Sequence, residues 1–157
     1  MAVTIRSAAP ADAEALAEMV AAERAHEGSQ PPNLTAEDIR RDGFGSDAAF
    51  IALIAEIDGE TAGCALYLPT YDTSIGRRGA YLLELYVRPE ARGHGAGRRL
   101  MTEVCRATRQ RGGAFLCWAM VKSNKEAAAF YGRLDSVYAE VPTHMLQGSA
   151  FDRLAGD

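Results

Sequence analysis

Leu85-Tyr86-Val87-Arg88-Pro89-Glu90-Ala91-Arg92-Gly93-His94-Gly95-Ala96-Gly97 is the stretch on which the reading of this chain turns. The apolar run Tyr81-Leu82-Leu83-Glu84-Leu85-Tyr86-Val87 reads as a strand, ended by Arg88-Pro89 because proline cannot donate to a ladder. Glycines follow at 93, 95 and 97. From Gly97 to about Arg111, Leu100, Val104 and Ala107 fall on one stripe of an amphipathic helix that Gly112-Gly113 closes. A glycine-rich turn between strand and helix exposes consecutive backbone N–H groups at a helix N-terminus, which suits a pyrophosphate. Glycine lets a ligand approach the backbone and tolerates positive φ, and Arg92 adds a charged donor. Two other phosphate loops fail on spacing: no Gly-Lys-Ser/Thr ends this one, and a dinucleotide fingerprint starting at Gly93 needs glycine where Arg98 stands. By average composition, R/Q-x-x-G-x-G/A arises by chance in roughly one chain in six. The position between strand and helix therefore carries the inference.

Upstream, Val3–Arg6 reads as a short strand, and Pro10 opens a helix to about Ala25 with Leu16, Met19, Val20 and Ala22 as its buried stripe. Gly28–Asn33 is a loop. Thr35-Ala36-Glu37-Asp38 resembles a capping box for a second short helix that stops at Gly43. Phe50–Ile57 and Thr61–Leu68 are strands joined through Asp58-Gly59-Glu60, a hairpin signal. Tyr71–Gly79 reads as a loop. Downstream come a strand, Ala114–Val121, a helix capped by Ser123-Asn124 and running to Leu134, and a terminal strand pair, Val137–Glu140 and His144–Gln147. The fold class expected is α+β, with about seven strands and four helices: a mixed, mostly antiparallel sheet with one strand-helix-strand crossover.

The 157 residues suit a single domain, 1–157. A net charge of −4 argues against a nucleic-acid partner, which calls for a basic face. No leader-like N-terminus or long apolar span is evident, so the expected location is cytoplasmic with no membrane partner. Cys64, Cys105 and Cys117 form no C-x-x-C pair and read as reduced, mostly buried thiols. His26, His94 and His144 lack metal spacing, so no metal is expected.

The quoted stretch resembles the acetyl-coenzyme A motif of the GNAT N-acetyltransferases, and Asn124, Ala128, Phe130 and Tyr131 resemble that family's downstream segment. The resemblance implies the GNAT acyl-CoA N-acyltransferase fold and acetyl-CoA as co-substrate. Its contacts would be Leu85, Tyr86, Val87, Arg92, Gly93, His94, Gly95, Ala96, Gly97, Arg98, Asn124 and Tyr131. A narrower similarity, to the diamine (spermidine/spermine) and thialysine acetyltransferases, lies in Leu34–Asp38, Asp42-Gly43-Phe44-Gly45, Tyr71-Asp72 with Ile75-Gly76, and Gln147-Gly148. Ser74 stands where that subfamily often has Trp, and Leu83 replaces the first acid of its L-E-D strand.

An amine nucleophile must lose a proton near neutral pH although its ammonium pKa is about 10.4, so a base or an ordered water chain is needed. Glu84 is the candidate base. By strand alternation it shares a face with Leu82 and Tyr86, an apolar setting that favours the protonated carboxyl. The resemblance implies the Val87 N–H as donor to the developing oxyanion and Tyr131 as acid to the departing thiolate. Without it, Tyr131 is an amphipathic-helix residue beside Phe130. Glu27 and Asp72, on loops flanking the cleft, are implied as substrate-binding acids together with Glu84. The expected reaction is direct acetyl transfer, in a ternary complex, to the primary amine of a small diamine, polyamine or lysine-like amino acid. A peptide or protein amine as acceptor, or a non-catalytic acyl-CoA binding module, are the alternatives, and the resemblance favours a homodimer.

Overall fold

Alternation and turn chemistry account for most of a five-stranded sheet in the computed structural model, which describes residues 2–156. The elements are β1 (Val3–Ser7), α1 (Ala13–His26), α2 (Ala36–Asp42), β2 (Ile51–Ile57), β3 (Glu60–Asp72), β4 (Arg77–Val87), α3 (Ala96–Gln110), β5 (Leu116–Trp118), α4 (Lys125–Gly132) and α5 (Ser149–Ala155). The strands lie in sequence order, antiparallel from β1 to β4, and β5 joins β4 in parallel after the α3 crossover. The chain divides into two compact units, one ending at Asn124 and one beginning at Lys125.

In the first unit the sheet is covered on both faces. Leu16, Met19 and Val20 of α1 and Ile39 of α2 pack with Ala52, Ile54, Cys64, Leu66 and Tyr86 in one core. Leu100, Met101, Val104 and Thr108 are the buried residues of α3 beyond its first turn. Ala107, expected on that stripe, is only half-buried, and Thr108 takes the buried place because its hydroxyl donates to the Val104 carbonyl at 2.7 Å. Of the thiols only Cys64 is buried; Cys105 and Cys117 are exposed.

Local chemistry sets several boundaries. Thr35 caps α2: its hydroxyl accepts from the Asp38 amide at 3.1 Å while the Asp38 carboxylate accepts from the Thr35 amide at 3.0 Å. Asp58 and Gly59, with φ of 51° and 88°, turn β2 into β3 in the positive-φ geometry that a tight hairpin requires. Tyr71–Gly79, expected as a loop, instead supplies both arms of the β3–β4 hairpin. Only 73–76 lie outside the strands, where the Asp72 carboxylate accepts from the Ser74 amide and hydroxyl. Those bonds and the ladder offset the polar, exposed composition that made the stretch look irregular.

The sequence expectation of about seven strands and four helices is corrected to five of each among the described residues. Val137–Glu140 and His144–Gln147 form no strands among the described residues. A strand exists only where its backbone groups find a ladder, and in the second unit neither run has one, leaving Val137 95% exposed. Ser149–Ala155 is helical. In α4, the Phe130 and Tyr131 rings meet edge to face at 5.2 Å.

Two irregularities shape β3 and β4. Leu66 pairs with Glu84 but Tyr67 pairs with Leu82, so Leu83 has no partner and forms a bulge. Nearby, β3 and β4 run so close that a Cβ at Gly63 would sit 2.4 Å from the Tyr86 carbonyl oxygen. Gly63→Ala should therefore destabilise the protein by about 1–3 kcal/mol, read as a lower urea midpoint; an unchanged midpoint would refute this account of the close approach.

Candidate active site

Because Leu83 occupies a step of β4 without a partner, the residues after it change face. Glu84 and Tyr86 pair with Leu66 and Cys64, which belong to the α1 side, whereas Leu82 pairs with Tyr67 on the opposite side. Glu84 thus shares a face with Tyr86 but not with Leu82, and the sequence expectation is corrected on that point. Its setting is not apolar either. Arg24, reaching from α1, places Nη2 2.8 Å from Glu84 Oε1, and the Glu84 side chain is 12% exposed.

Beside this pair lies an acid that the sequence reading passed over. Glu23 continues the α1 stripe one turn beyond Met19 and Val20, and its carboxyl is near enough to Glu84 to feel its charge. Its Oε2 is buried without a hydrogen-bond partner. Burial, reinforced by the hydrogen bond and charge of Glu84 and by the charge of Glu27, pushes the Glu23 carboxyl up to about 9. Burial and a neighbouring acid favour the protonated form of Glu23, while Arg24 pairs with Glu84. Beneath them, burial and the same two carboxyls raise the Cys64 thiol above the ordinary range. A carboxyl at the 16, 19, 20, 23 positions of an otherwise apolar stripe was the available signal.

The open edge of β4 begins at the same place. Strand β5 pairs only with Ala80–Leu82, and among the described residues no strand lies beside Leu83–Val87 on that side. The Arg88 amide donates to the Ala62 carbonyl, toward β3; alternation turns the Val87 and Leu85 amides the other way. The Val87 carbonyl accepts from Arg92 Nε at 3.1 Å.

Arg92 leads into the turn. Gly93 and Gly95 have φ of 82° and 83°, and a Cβ on either would meet nothing within 4 Å, so their role is conformation and open approach. Gly97 is helical, within α3. His94 sits over the turn with Nδ1 3.3 Å from the Ala91 carbonyl, and Arg98 is exposed in the first turn of α3. The first amides of that 15-residue helix, from Ala96 onward, have no carbonyl one turn earlier in the helix to bond. Left-handed glycines, unblocked space and a helix N-terminus fit an anionic diphosphate.

The expected acids do not all converge. Glu27, the residue that caps the end of α1, lies one turn beyond Glu23, close enough to act on its charge. Asp72 stands six residues along β3 from the partner of Glu84, about 20 Å away at strand spacing, and its carboxylate is held below the usual range by the Ser74 hydrogen bonds. Leu83, where the narrower resemblance implies an acid, is the bulge residue and 40% exposed. Asn124 immediately precedes α4, and Tyr131 belongs to α4 in the second unit.

The open edge of β4 leads through a glycine turn into the N-terminus of α3. The acetyltransferase (GNAT) family model matches residues 14–135, and the chain belongs to that family. Thialysine N-epsilon-acetyltransferase of Sus scrofa is 34% identical over 140 residues, covering 82% of each chain. A human spermidine/spermine N(1)-acetyltransferase-like protein 1 is 39% identical over 75 residues, 43% of this chain and 11% of that one. Among solved structures, an integron cassette protein from the mobile metagenome of V. cholerae superposes with a TM-score of 0.78 at 21% identity, covering 100% of this chain and 99% of its own. The protein is an N-acetyltransferase. No helix among the described residues is long and apolar enough to cross a membrane.

The raised Glu23 carboxyl has a thermodynamic signature. Below the ordinary carboxylate range both folded and unfolded states hold its proton. Between that range and about 9 the unfolded chain has lost a proton that the native state keeps, so native stability falls as pH rises through this window. Glu23→Gln should remove the loss: its melting temperature relative to the parent should climb steadily from acid to mildly alkaline pH. A constant difference would show that Glu23 ionises normally.

Proposed function

We propose that the protein transfers the acetyl group of acetyl-CoA to the primary amine of a small cationic acceptor, a diamine, polyamine or lysine-like amino acid, in a ternary complex. The observation that carries this reading is the acid group Glu23, Glu27 and Glu84 gathered beside the open edge of β4. A cluster of carboxyls at that edge recognises an ammonium better than a neutral or anionic acceptor.

Acetyl-CoA supplies a thioester carbonyl. The turn Arg92–Gly97, with Arg98, is suited to hold its pyrophosphate, while Leu85, Tyr86 and Val87 offer backbone groups along the edge and Asn124 an amide side chain. Glu84 accepts one proton from the acceptor ammonium, freeing the nitrogen lone pair. The amine attacks the carbonyl carbon, the carbon–nitrogen bond forms, and the carbon–sulfur bond breaks with its electrons going to sulfur. The Val87 amide, directed to the open side, is the donor for the oxygen that gains charge. Tyr131 is the proton donor to the leaving sulfur, and the second proton that the nitrogen sheds as the amide forms restores the phenol. That role rests on the similarity of the Asn124 to Tyr131 segment to the family, as does the Asn124 contact.

Release of free thiol over a panel of amines tests the reading. Turnover should favour lysine-like amino acids and diamines over N-terminal peptide amines, and absence of turnover on every amine would refute it. Tyr131→Phe should lower kcat by about tenfold or more while leaving coenzyme binding nearly unchanged; an unchanged rate would remove Tyr131 as the acid. Gly95→Val forces a β-branched residue to a φ of 83° and fills the approach to the helix N-terminus, so coenzyme binding by calorimetry should be lost.

A further inference from the structure

At the end of α3 away from the glycine turn, the first unit holds a second hollow. It encloses about 340 Å³, and Tyr67 of β3, Arg78 and Ala80 of β4, and Thr108 and Arg111 at the end of α3 line it. The β3–β4 register explains why they meet. Leu82 pairs with Tyr67 on the α3 side, and alternation brings Ala80 and Arg78 to that same face. Arg78 lies six residues before Glu84, about 20 Å along the strand, so the hollow is separate from the candidate active site.

Backbone bonds fix its walls. The Ala114 amide donates to the Arg78 carbonyl at 2.8 Å, the Ala80 amide to the Phe115 carbonyl at 3.0 Å, and the Gly113 amide to the Thr108 carbonyl at 2.9 Å. Gly79 and Gly113 permit this closeness: a Cβ on the first would lie 2.5 Å from the Phe115 ring, and one on the second 2.5 Å from Thr108 Cγ2. The two arginines are therefore carried on segments locked to each other, which lowers the entropy cost of gripping one ligand between them.

Charge in the hollow is of one sign. No Asp or Glu lines it, and among the described residues neither Arg78 nor Arg111 has an ion pair, whereas Arg6, Arg24 and Arg88 each have one. Glu103 is close enough to act on Tyr67, but it pairs with Arg106 at 3.2 Å. Tyr67 is only 3% exposed, yet its hydroxyl has no hydrogen-bond partner among the described residues, and the charge of Arg111 acts on it. The Thr108 hydroxyl already donates to Val104. Two guanidinium groups and one phenol are thus the donors left to spare. Like charges lining one hollow repel unless an anion stands between them, and guanidinium groups grip oxyanions through paired hydrogen bonds.

We propose that this hollow binds a small dianion, a phosphate ester or a dicarboxylate, through Arg78 and Arg111, with the Tyr67 hydroxyl as a third donor. Both arginines are exposed and meet the charged end, while Pro69 and Ala80 face the carbon part. Binding requires neither coenzyme nor acceptor amine.

Backbone amide NMR spectra of the full chain, titrated with sodium phosphate, glycerol 3-phosphate, succinate or sodium chloride at matched ionic strength, test the site. Saturating shifts at the Ala80, Gly113 and Ala114 amides, with a Kd at or below about 1 mM, are expected for at least one dianion, and the preferred one tells phosphate ester from dicarboxylate. Arg78→Gln and Arg111→Gln should each weaken that Kd about tenfold, with melting temperatures nearly unchanged because both side chains are exposed. Arg78→Lys keeps the charge without the planar fork and should fall between the parent and the Gln variant. Tyr67→Phe keeps the buried ring and should weaken binding about threefold. No saturation by any dianion, shifts confined to Gly93–Ala96, shifts that sodium chloride reproduces, or saturation unaltered when both arginines are changed would overturn the site. Dianion binding by a chain that turns over no amine would overturn the acetyl-transfer reading and leave this site standing.

Discussion

A single unpartnered residue in β4 governs the arrangement of the site. Leu83 shifts the pairing so that Glu84 faces α1 instead of the α3 side. Just before it, at Leu82, β5 ceases to accompany β4. The carboxylate therefore meets Arg24 and Glu23 on one side, while the amides of Leu85 and Val87 turn to an edge that no strand occupies among the described residues. Without the bulge, Glu84 would lie on the α3 side with Leu82, and the α1 acids would have nothing to act on.

Electrostatics then depend on what α1 brings to that face. Arg24 and Glu23 are neighbours in sequence that both act on this face, Arg24 as an ion pair with Glu84 at 2.8 Å and Glu23 as a carboxyl that burial holds in its protonated form. At the end of the same strand, Arg92 bonds the Val87 carbonyl, so the open edge and the glycine turn are joined through one side chain.

The parts of the fold legible in the sequence are those that local chemistry dictates. Leu16, Met19 and Val20 mark α1, Thr35 and Asp38 fix the start of α2, Asp58-Gly59 sets a hairpin, and the turn before α3 announces itself by its glycines. The bulge at Leu83 was invisible because Tyr81 to Val87 is apolar without interruption save Glu84, and no composition distinguishes a regular strand there from one with an added residue. Glu23 was missed because one acid at the margin of an apolar stripe looks like the start of the polar face; only the partner strand reveals where it points. The terminal strands failed for a converse reason: Val137–Glu140 and His144–Gln147 have strand-like composition, but pairing requires a neighbour that composition does not supply. Asp72, which the resemblance implies as a substrate acid, also closes its own hairpin turn through Ser74, a use that its composition alone does not reveal.

The hydrogen bond from Arg92 to the Val87 carbonyl also bears on what the open edge refuses. A bare strand edge offers alternating donors and acceptors to any extended peptide, which is how sheets recruit strands they were not meant to have. Here one acceptor of that ladder is already taken by a side chain, so the regular repeat that a second strand needs is broken at Val87. The edge is selective by subtraction: it can meet a single group while sheet extension is interrupted.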